Sequence, residues 1–474
     1  MPVLLRYSRQ LEPNCEFDFW LDLTRNNIGL DETKRITDVP FNLESCFNQI
    51  GETWWRLGKQ LSRDPSSVFA HTPTCAPNVS DFGLMLAWSL LVGQIANKTF
   101  TTLVVCDDPW LFRHLSAIAE VEAGQMPPLW PLTIRLWLRG FLARLKYTLA
   151  AGLQTLTTRW QKQNVTSNAT VLLVYGHPAS TPDGDDGYFG SLMKELGQLT
   201  RLLHVDCPPD RARYLCQDSR TTSIASWGSL LTVFRLPFTV WRPSKNNVEG
   251  ENGWLVRRAA IKEASTAQPA AIAWQLHCKS RWLSRAQPEM VAWPWENHGW
   301  EREFVRQTKM AGVKTIGYQH SVIGGQMFNY SPASNIDGAE SLPDQIVCTG
   351  EVTCCRLKEW SVAENQLSIG GALRIPIIKN RTVDPAGAVF LALPFDGEVA
   401  RQMIAAASQL TGEGYRFVVG VHPMTPYNFD SQNGIELAEK PFHAIDGLSA
   451  LVFAATTVGL EAALADIPTI RFLP

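Results

Sequence analysis

The sequence predicts an α/β protein built of two parallel-sheet domains. Three observations carry that expectation. The chain has 474 residues, too many for one ordinary hydrophobic core, so two domains are expected. Apolar runs of strand length alternate with stretches of helical spacing, the order that builds βαβ units. Several of those runs end in polar strings, where open α/β sheets bind their ligands. The last part of the chain shows this most plainly. There Val418-Val419-Gly420-Val421 leads into His422-Pro423, and Ala450-Leu451-Val452-Phe453 leads into Thr456-Thr457 and a glycine-containing helix start. Hydroxyl groups beside the free N–H groups of a helix start suit a phosphate. The two strings together predict a pocket for a nucleoside mono- or diphosphate.

Composition narrows the class. Hydrophobic residues make up 45% of the chain and the net charge is −2, which fits a globular protein and excludes a basic nucleic-acid binder. Ten cysteines are scattered with no Cys-x-x-Cys pair, so neither a zinc site nor a disulfide framework is expected. A reducing, cytoplasmic setting accounts for them. The N-terminus has no basic stretch followed by an apolar one, and so does not read as a signal peptide. Seventeen tryptophans would suit a sugar site or a membrane interface, with most expected in the core.

The first domain is expected over residues 1–335, as the acceptor side. Phe17-Asp18-Phe19-Trp20-Leu21-Asp22-Leu23 alternates as a strand does, and Trp54-Trp55-Arg56-Leu57 has helical spacing. Residues 84–92 are apolar but too few to span a bilayer. Thr102-Leu103-Val104-Val105 reads as a buried strand with Asp107 and Asp108 at its end, where capping or turn roles compete with a functional one. No acidic residue occurs from Ala123 through Pro182. Inside that span, residues 128–162 interleave Trp130, Ile134, Trp137, Leu138, Phe141 and Leu145 with Arg135, Arg139, Arg144 and Lys146. A basic amphipathic helix rich in aromatics favours an interfacial membrane anchor over a core-facing helix with a solvated edge.

After a polar linker at 164–170, Thr170-Val171-Leu172-Leu173-Val174-Tyr175 is a strand. An acidic loop follows, with Asp183, Asp185 and Asp186, then helical spacing over 188–199 and a strand at Leu202-Leu203-His204-Val205. A carboxylate at that strand end is preferred as catalytic, with a plain acidic turn as the alternative. Val291-Ala292-Trp293-Pro294-Trp295-Glu296-Asn297-His298 precedes a helix. Glu296 and Glu301 flank that helix start, where capping is the ordinary role. Val313-Lys314-Thr315-Ile316-Gly317-Tyr318-Gln319-His320 is a strand whose His320 opens a Gly-Gly loop.

Residues 332–342 read as an interdomain linker. A second α/β domain follows over 340–474, with strands at 345–348, 389–394 and 415–421, a strand and turn at 367–372, and helices at 352–360 and 398–411. The chain stops at Arg471-Phe472-Leu473-Pro474, just after a strand. Either the natural chain is longer or an earlier segment completes this domain.

Two α/β domains with a nucleotide pocket in the second resemble the GT-B glycosyltransferase plan, two Rossmann-like domains facing a central cleft. Three strings sharpen the likeness. Asp185-Asp186-Gly187 resembles the paired-acid-glycine motif of bacterial sialyltransferases. His422-Pro423 resembles their His-Pro motif, and Thr456-Thr457 their paired Ser/Thr motif. Kdo transferases of capsule and lipopolysaccharide synthesis have similar His-Pro and Ser/Thr elements. Separately, Trp293-Pro294-Trp295-Glu296-Asn297, Trp300-Glu301, Gly317-Tyr318-Gln319-His320 and Gly370-Gly371-Ala372-Leu373-Arg374 resemble surface-polysaccharide glycosyltransferases of bacterial O-antigen and capsule loci.

The resemblance implies a donor of the CMP type carrying a 2-keto sugar acid (Kdo, sialic, pseudaminic or legionaminic). The acceptor would be an oligosaccharide or lipid-linked glycan. His422, Pro423, Thr456 and Thr457 would hold the CMP phosphate, with Glu296, Gly371 and Arg374 also on the donor. Asp186, then Asp185, would be the general base, with His320 and Glu301 in supporting catalytic roles. The charge left on the cytidylate would be stabilised by histidine, hydroxyls and a helix start. No metal and no cofactor are then expected, the CMP-sugar being a substrate. The setting would be cytoplasmic, peripheral on the inner membrane. Rival expectations are the same plan with a UDP- or GDP-sugar, a CDP-alcohol glycerophosphotransferase, and a non-catalytic glycan-assembly protein.

Overall fold

The structure is a computed structural model that describes residues 3–11, 16–23, 29–74, 77, 80–159, 168–375, 382–394, 396–422, 431, 434–454 and 456–473. It is α/β, and every strand pairing in its three sheets is parallel. Parallel sheets are covered on both faces, so their strands read as continuous apolar runs. All four residues of Thr102–Val105 are buried, as are all four of Val389–Ala392. The chain divides into two compact units, Met1–Ala372 and Leu373–Pro474.

The first unit holds two sheets. A four-stranded sheet has the order β2-β3-β1-β4, from β1 (Val3–Arg6), β2 (Phe19–Asp22), β3 (Thr102–Val105) and β4 (Val121–Ala123). A seven-stranded sheet has the order β11-β10-β9-β8-β5-β6-β7. Its strands are β5 (Thr170–Val174), β6 (Thr200–Leu203), β7 (Thr221–Ser223), β8 (Met290–Pro294), β9 (Lys314–Gln319), β10 (Gln345–Cys348) and β11 (Leu367–Ile369). The chain winds outward one way from β5 and the other way from β8. The neighbours β5 and β8 therefore form the switch point, where a crevice opens beyond the strand ends. One continuous core joins both sheets, from Val3 and Leu21 to Trp293 and Trp360.

The second unit holds a five-stranded sheet, β14-β13-β12-β15-β16. Its strands are β12 (Val389–Ala392), β13 (Phe417–Gly420), β14 (Ile435–Leu437), β15 (Ala450–Phe453) and β16 (Thr469–Arg471). Its switch point lies between β12 and β15, which pair in register from Val389↔Ala450 to Ala392↔Phe453.

Three expectations are corrected. The domain boundary falls at 372/373 rather than between 335 and 340. The strands at 345–348 and 367–369 look locally like the opening of a new domain, but β10 pairs with β9 and β11 with β10. Apolar runs announce strands and not their partners. Residues 332–342 are not a linker either. Ser331, Ser334 and Asn335 are buried, and the Arg302 guanidinium donates to the Asn329 carbonyl, the Ser334 carbonyl and the Ser334 hydroxyl. The helical spacing over 188–199 yields only the single turn Leu192–Glu195, because the acidic loop before it runs on as far as Gly190.

Candidate functional site

Beyond β8 the chain turns sharply through Trp295-Glu296-Asn297 into the helix Gly299–Met310. Asn297 adopts φ 58°, a left-handed conformation that asparagine tolerates better than most residues. Its side-chain amide donates to the Asn329 carbonyl at 2.9 Å. Glu301 organises the turn. Its carboxylate accepts from the backbone N–H of His298 at 2.6 Å, from that of Glu296 at 3.1 Å and from the Trp293 indole at 2.9 Å. Both oxygens are thus committed to the helix start, in the manner of a capping box. Burial raises the Glu301 carboxyl, partly offset by the His298 charge and backbone donors. Glu301 is a positioning carboxylate, and the capping role weighed for it describes its geometry.

Glu296 stays accessible, with 44% of its side chain exposed. Its Oε2 lies 2.8 Å from His298 Nε2 and its Oε1 lies 3.9 Å from His320 Nε2. The other ring nitrogen of His298, Nδ1, sits 2.9 Å from the Thr74 carbonyl oxygen. Two acceptors facing two ring nitrogens are satisfied only by the doubly protonated imidazolium. The pKa follows the geometry. Burial alone would lower His298, but the hydrogen bond and charge of Glu296 overcome it and raise the group. For Glu296 burial acts upward, and the hydrogen bond and charge of His298 overcome it and carry the carboxyl down to about 2. His71 packs its ring 5.1 Å from that of His298 and is held neutral, brought to about 3 by burial and by the His298 charge.

A second group adjoins these residues. His204 follows β6 and is buried; its Nδ1 lies 3.3 Å from Asp206 Oδ2, and its Nε2 is 3.4 Å from Lys279 Nζ. Lys279 comes from the helix Gln268–Ala286 and places its Nζ 3.3 Å from the centre of the Trp300 ring. Burial pushes Lys279 well below the usual lysine value, against the pull of Glu301 and Asp206. Burial and then Lys279 bring His204 to about 4. Tyr188 links this site to the acidic loop, its ring 5.0 Å from His320 and 5.5 Å from His177.

The acidic loop itself is a structural knot. Asp186 is buried; its Oδ1 accepts from the N–H groups of Tyr188 and Phe189 at 2.9 and 3.3 Å. Its Oδ2 accepts from the Ser180 hydroxyl at 3.1 Å and lies 3.8 Å from the buried Arg201 guanidinium. A Cβ on Gly187 would run into the His177 ring, so the residue after Asp186 has no room for a side chain. Asp185 pairs with Lys194 at 2.6 Å. Asp186 is therefore engaged in holding the loop, while Asp185 makes a surface pair.

In the second unit, β12 is flanked by β13 and β15. His422 follows β13 and Thr456-Thr457 follow β15, so all three stand at carboxyl ends of this sheet. Thr456 Oγ1 accepts from the Val458 N–H at 3.3 Å. Gly459 lets the short helix Val458–Leu464 lie against the Phe453 ring, where a Cβ would clash. His422 is half-buried, which lowers its imidazole. Arg374 lies within electrostatic reach of Glu461, a carboxyl that burial raises and Arg374 and His443 pull back. Pro423 lies outside the described residues.

The sequence-marked residues thus fall into two groups. Glu296, Glu301 and His320 meet at the β8–β9 strand ends of the first unit. His422, Thr456, Thr457 and Arg374 belong to the second. Gly371 belongs to the first, at φ +85°, its carbonyl accepting from the Tyr318 hydroxyl at 3.1 Å. His71, His204, Asp206, Lys279 and His298 are the residues that sequence reasoning leaves out of the site. For His204 a signal exists, a histidine closing an apolar strand run as His320 does.

No protein-family model matches the chain, and no curated protein matches it in sequence. Among solved structures, UDP-N-acetylglucosamine 2-epimerase from Rickettsia bellii is similar at 10% identity, over 64% of this chain and 78% of that one, with a TM-score of 0.38. Arabidopsis thaliana UGT89C1 complexed with quercetin is similar at 12% identity, over 63% of this chain and 82% of that one, with a TM-score of 0.33.

Proposed function

We propose that the protein is a glycosyltransferase of the GT-B plan that transfers a sugar from a nucleotide donor to a glycan acceptor. The observation that carries this reading is the Glu296–His298–His320 cluster beside the β5/β8 switch point, where an α/β sheet of this winding opens its crevice. Glycosyl transfer requires a base to take the acceptor hydroxyl proton. In our reading His320 is that base and Glu296 steadies the imidazolium it becomes, the logic of a carboxylate behind a histidine. The 3.9 Å separation between them is of the loose kind that substrate binding tightens. In our reading this takes the place of Asp186, both of whose oxygens are engaged, and of Asp185, whose Oδ2 pairs with Lys194 at the surface.

The donor nucleotide is assigned to the second unit, with His422, Thr456 and Thr457 at the phosphate and Arg374 at the sugar carboxylate. The strings Asp185-Asp186-Gly187, His422-Pro423 and Thr456-Thr457 support a CMP-activated 2-keto sugar acid of the Kdo, sialic, pseudaminic or legionaminic type. Electrophilic help from hydroxyls and a histidine would stabilise the departing cytidylate. A UDP- or GDP-sugar is the alternative donor, and an oligosaccharide or lipid-linked glycan the acceptor.

Thermal stability measured against CMP, CDP, UDP and GDP tests the reading, because only a nucleotide that binds the native state raises the melting temperature. A rise with CMP that disappears in His422→Ala is expected. A rise with UDP or GDP instead would overturn the CMP donor and keep the enzyme class. No response to any of the four would overturn the glycosyltransferase reading in favour of a non-catalytic assembly role.

A further inference from the structure

The helix Trp130–Thr158 is amphipathic in the inverted sense. A surface helix normally buries its large apolar stripe against the core. Here the buried positions are Gly140, Arg144, Thr148, Ala151 and Thr155, small or polar residues. Gly140 packs directly on the Ala264 carbonyl, leaving no room for a Cβ. The Arg144 guanidinium is buried and donates to the carbonyls of Pro237, at 2.9 Å, and Ala264. The helix is thus firmly docked, and through its polar side.

The large apolar side chains point outward instead. Trp137, Leu142, Leu149 and Leu153 are 56, 62, 69 and 65% exposed. Leu142, Leu149 and Leu153, spaced seven and four apart, share one side of a rod about 40 Å long with Leu138, which is 50% exposed and lies four residues before Leu142. Two neighbouring elements extend that face. The turns Leu230–Val233 and Leu236–Phe238 pack against the helix, and Leu231, Phe234 and Phe238 are 81, 74 and 68% exposed. Phe238 lies 6.0 Å from Phe141, ring to ring, which ties the turn to the helix. Exposed apolar patches of this extent mark interaction surfaces.

Charge identifies the occupant. Arg135, Arg139 and Lys146 are exposed along one edge of this face, and among the described residues none of them forms an ion pair. No acidic residue lies anywhere from 123 to 182. A long apolar face edged by cations and free of carboxylates complements an anionic bilayer surface. Among the described residues, no helix is long and apolar enough to cross a membrane, so the helix would lie in the interface.

We propose that the outward face of Trp130–Thr158, with Leu231, Phe234 and Phe238, docks the protein on an anionic lipid bilayer, its aromatic and leucine side chains entering the acyl boundary and Arg135, Arg139 and Lys146 meeting the lipid phosphates. The proposal does not depend on which sugar is transferred.

Co-sedimentation of the full chain with vesicles tests it. One set is phosphatidylcholine alone and the other includes phosphatidylglycerol; a lipid-free sedimentation run accompanies them. The expected result is binding to the anionic vesicles that weakens with salt and falls on the order of tenfold in Leu142→Glu/Leu149→Glu. Arg135→Gln/Arg139→Gln/Lys146→Gln should lower anionic binding towards the level on phosphatidylcholine. All five positions are exposed, so an unchanged melting temperature confirms that these variants fold. Absence of binding to anionic vesicles, or binding that survives Leu142→Glu/Leu149→Glu, would overturn the proposal. So would lipid-free self-association abolished by that same variant, which would assign the face to a second copy of the chain.

Discussion

Glu296 and His298 stand two residues apart in the chain and meet side chain to side chain, Oε2 to Nε2 at 2.8 Å, while the far nitrogen of His298 faces the Thr74 carbonyl. This contact makes His298 a standing cation and leaves the other Glu296 oxygen towards His320. In Glu296→Gln the burial of His298 loses its main opposition and is countered only by the Glu301 charge and the Thr74 carbonyl, so its imidazole pKa should fall. Histidine NMR titration reads that directly. The stability effect is limited to about 1 kcal/mol, because Glu296 is nearly half exposed and water screens the pair. Its sign is defined on both sides. The raised His298 contributes below its unfolded value and the contribution is lost as pH rises through the folded one. The lowered Glu296 contributes above its unfolded value and the contribution is lost as pH falls. Turnover should fall by roughly 10²–10⁴ if the pair serves proton transfer. An unchanged His298 titration would refute the coupling.

Acid should weaken the protein from just below neutrality. His204 is held at about 4 and His71 at about 3, both chiefly by burial. A depressed histidine stays neutral when folded and takes a proton when unfolded, so stability drops as pH falls below the unfolded value of 6.5 and continues to drop until the folded group titrates. For His204 alone the loss is on the order of 3 kcal/mol. Melting temperatures followed from neutral to mildly acidic pH should decline steadily, and less steeply in His71→Phe. A flat profile over that range would contradict the burial of both rings.

The strands that build the site are readable in the sequence because they are buried on both faces. Thr170–Val174, Met290–Pro294 and Ala450–Phe453 each follow from an unbroken or nearly unbroken apolar run, and Lys314–Gln319 from a shorter one, Ile316-Gly317-Tyr318, that ends in polar groups. His320 and Glu296 are readable as well, since they close such runs. What is not readable is partnership. β10 has the local pattern of a new domain's first strand, yet it extends the first unit's sheet beside β9. Nor does any periodicity gather His71, His204, Lys279 and His298, which come from four separate elements. One clue was present for Lys279. It shares a helix face with Gln275 and Trp282, both buried, and a lysine inside an otherwise buried stripe is rarely solvent-facing. The helix Trp130–Thr158 was legible as basic and amphipathic. Its inversion was not, because sequence shows which faces differ and not which one is covered.

Lys279 should be replaceable without loss of stability. It is fully buried against Trp300 and beside His204, and burial holds it well below its ordinary value. A buried amine depressed in this way destabilises the fold increasingly as pH falls from about 10.5, where the unfolded chain begins to bind the proton the folded chain refuses. Lys279→Met keeps most of the volume and removes that penalty. The variant should be as stable as the parent at neutral pH or more stable by about 1–3 kcal/mol, and its stability should rise less between pH 7 and 9 than the parent's. Denaturant titration at the two pH values checks both. A large loss of stability in Lys279→Met would mean that the amine is charged and paired.

Asp186 should behave as a structural residue. Its carboxylate satisfies two backbone N–H groups and the Ser180 hydroxyl, and it lies beside Arg201, whose other donors hold the carbonyls of Asp185 and Thr181. Asp186→Ala strands those donors in the interior and leaves Arg201 without its carboxylate. Such losses cost about 3 kcal/mol or more, and the effect should be a lowered urea midpoint together with reduced turnover. Asp185→Ala, which removes only a surface pair with Lys194, should shift stability by less than about 1 kcal/mol. The two outcomes separate a loop-holding residue from a base. If Asp186→Ala kept its parent stability while turnover vanished, the proton-accepting role would return to Asp186 and leave His320.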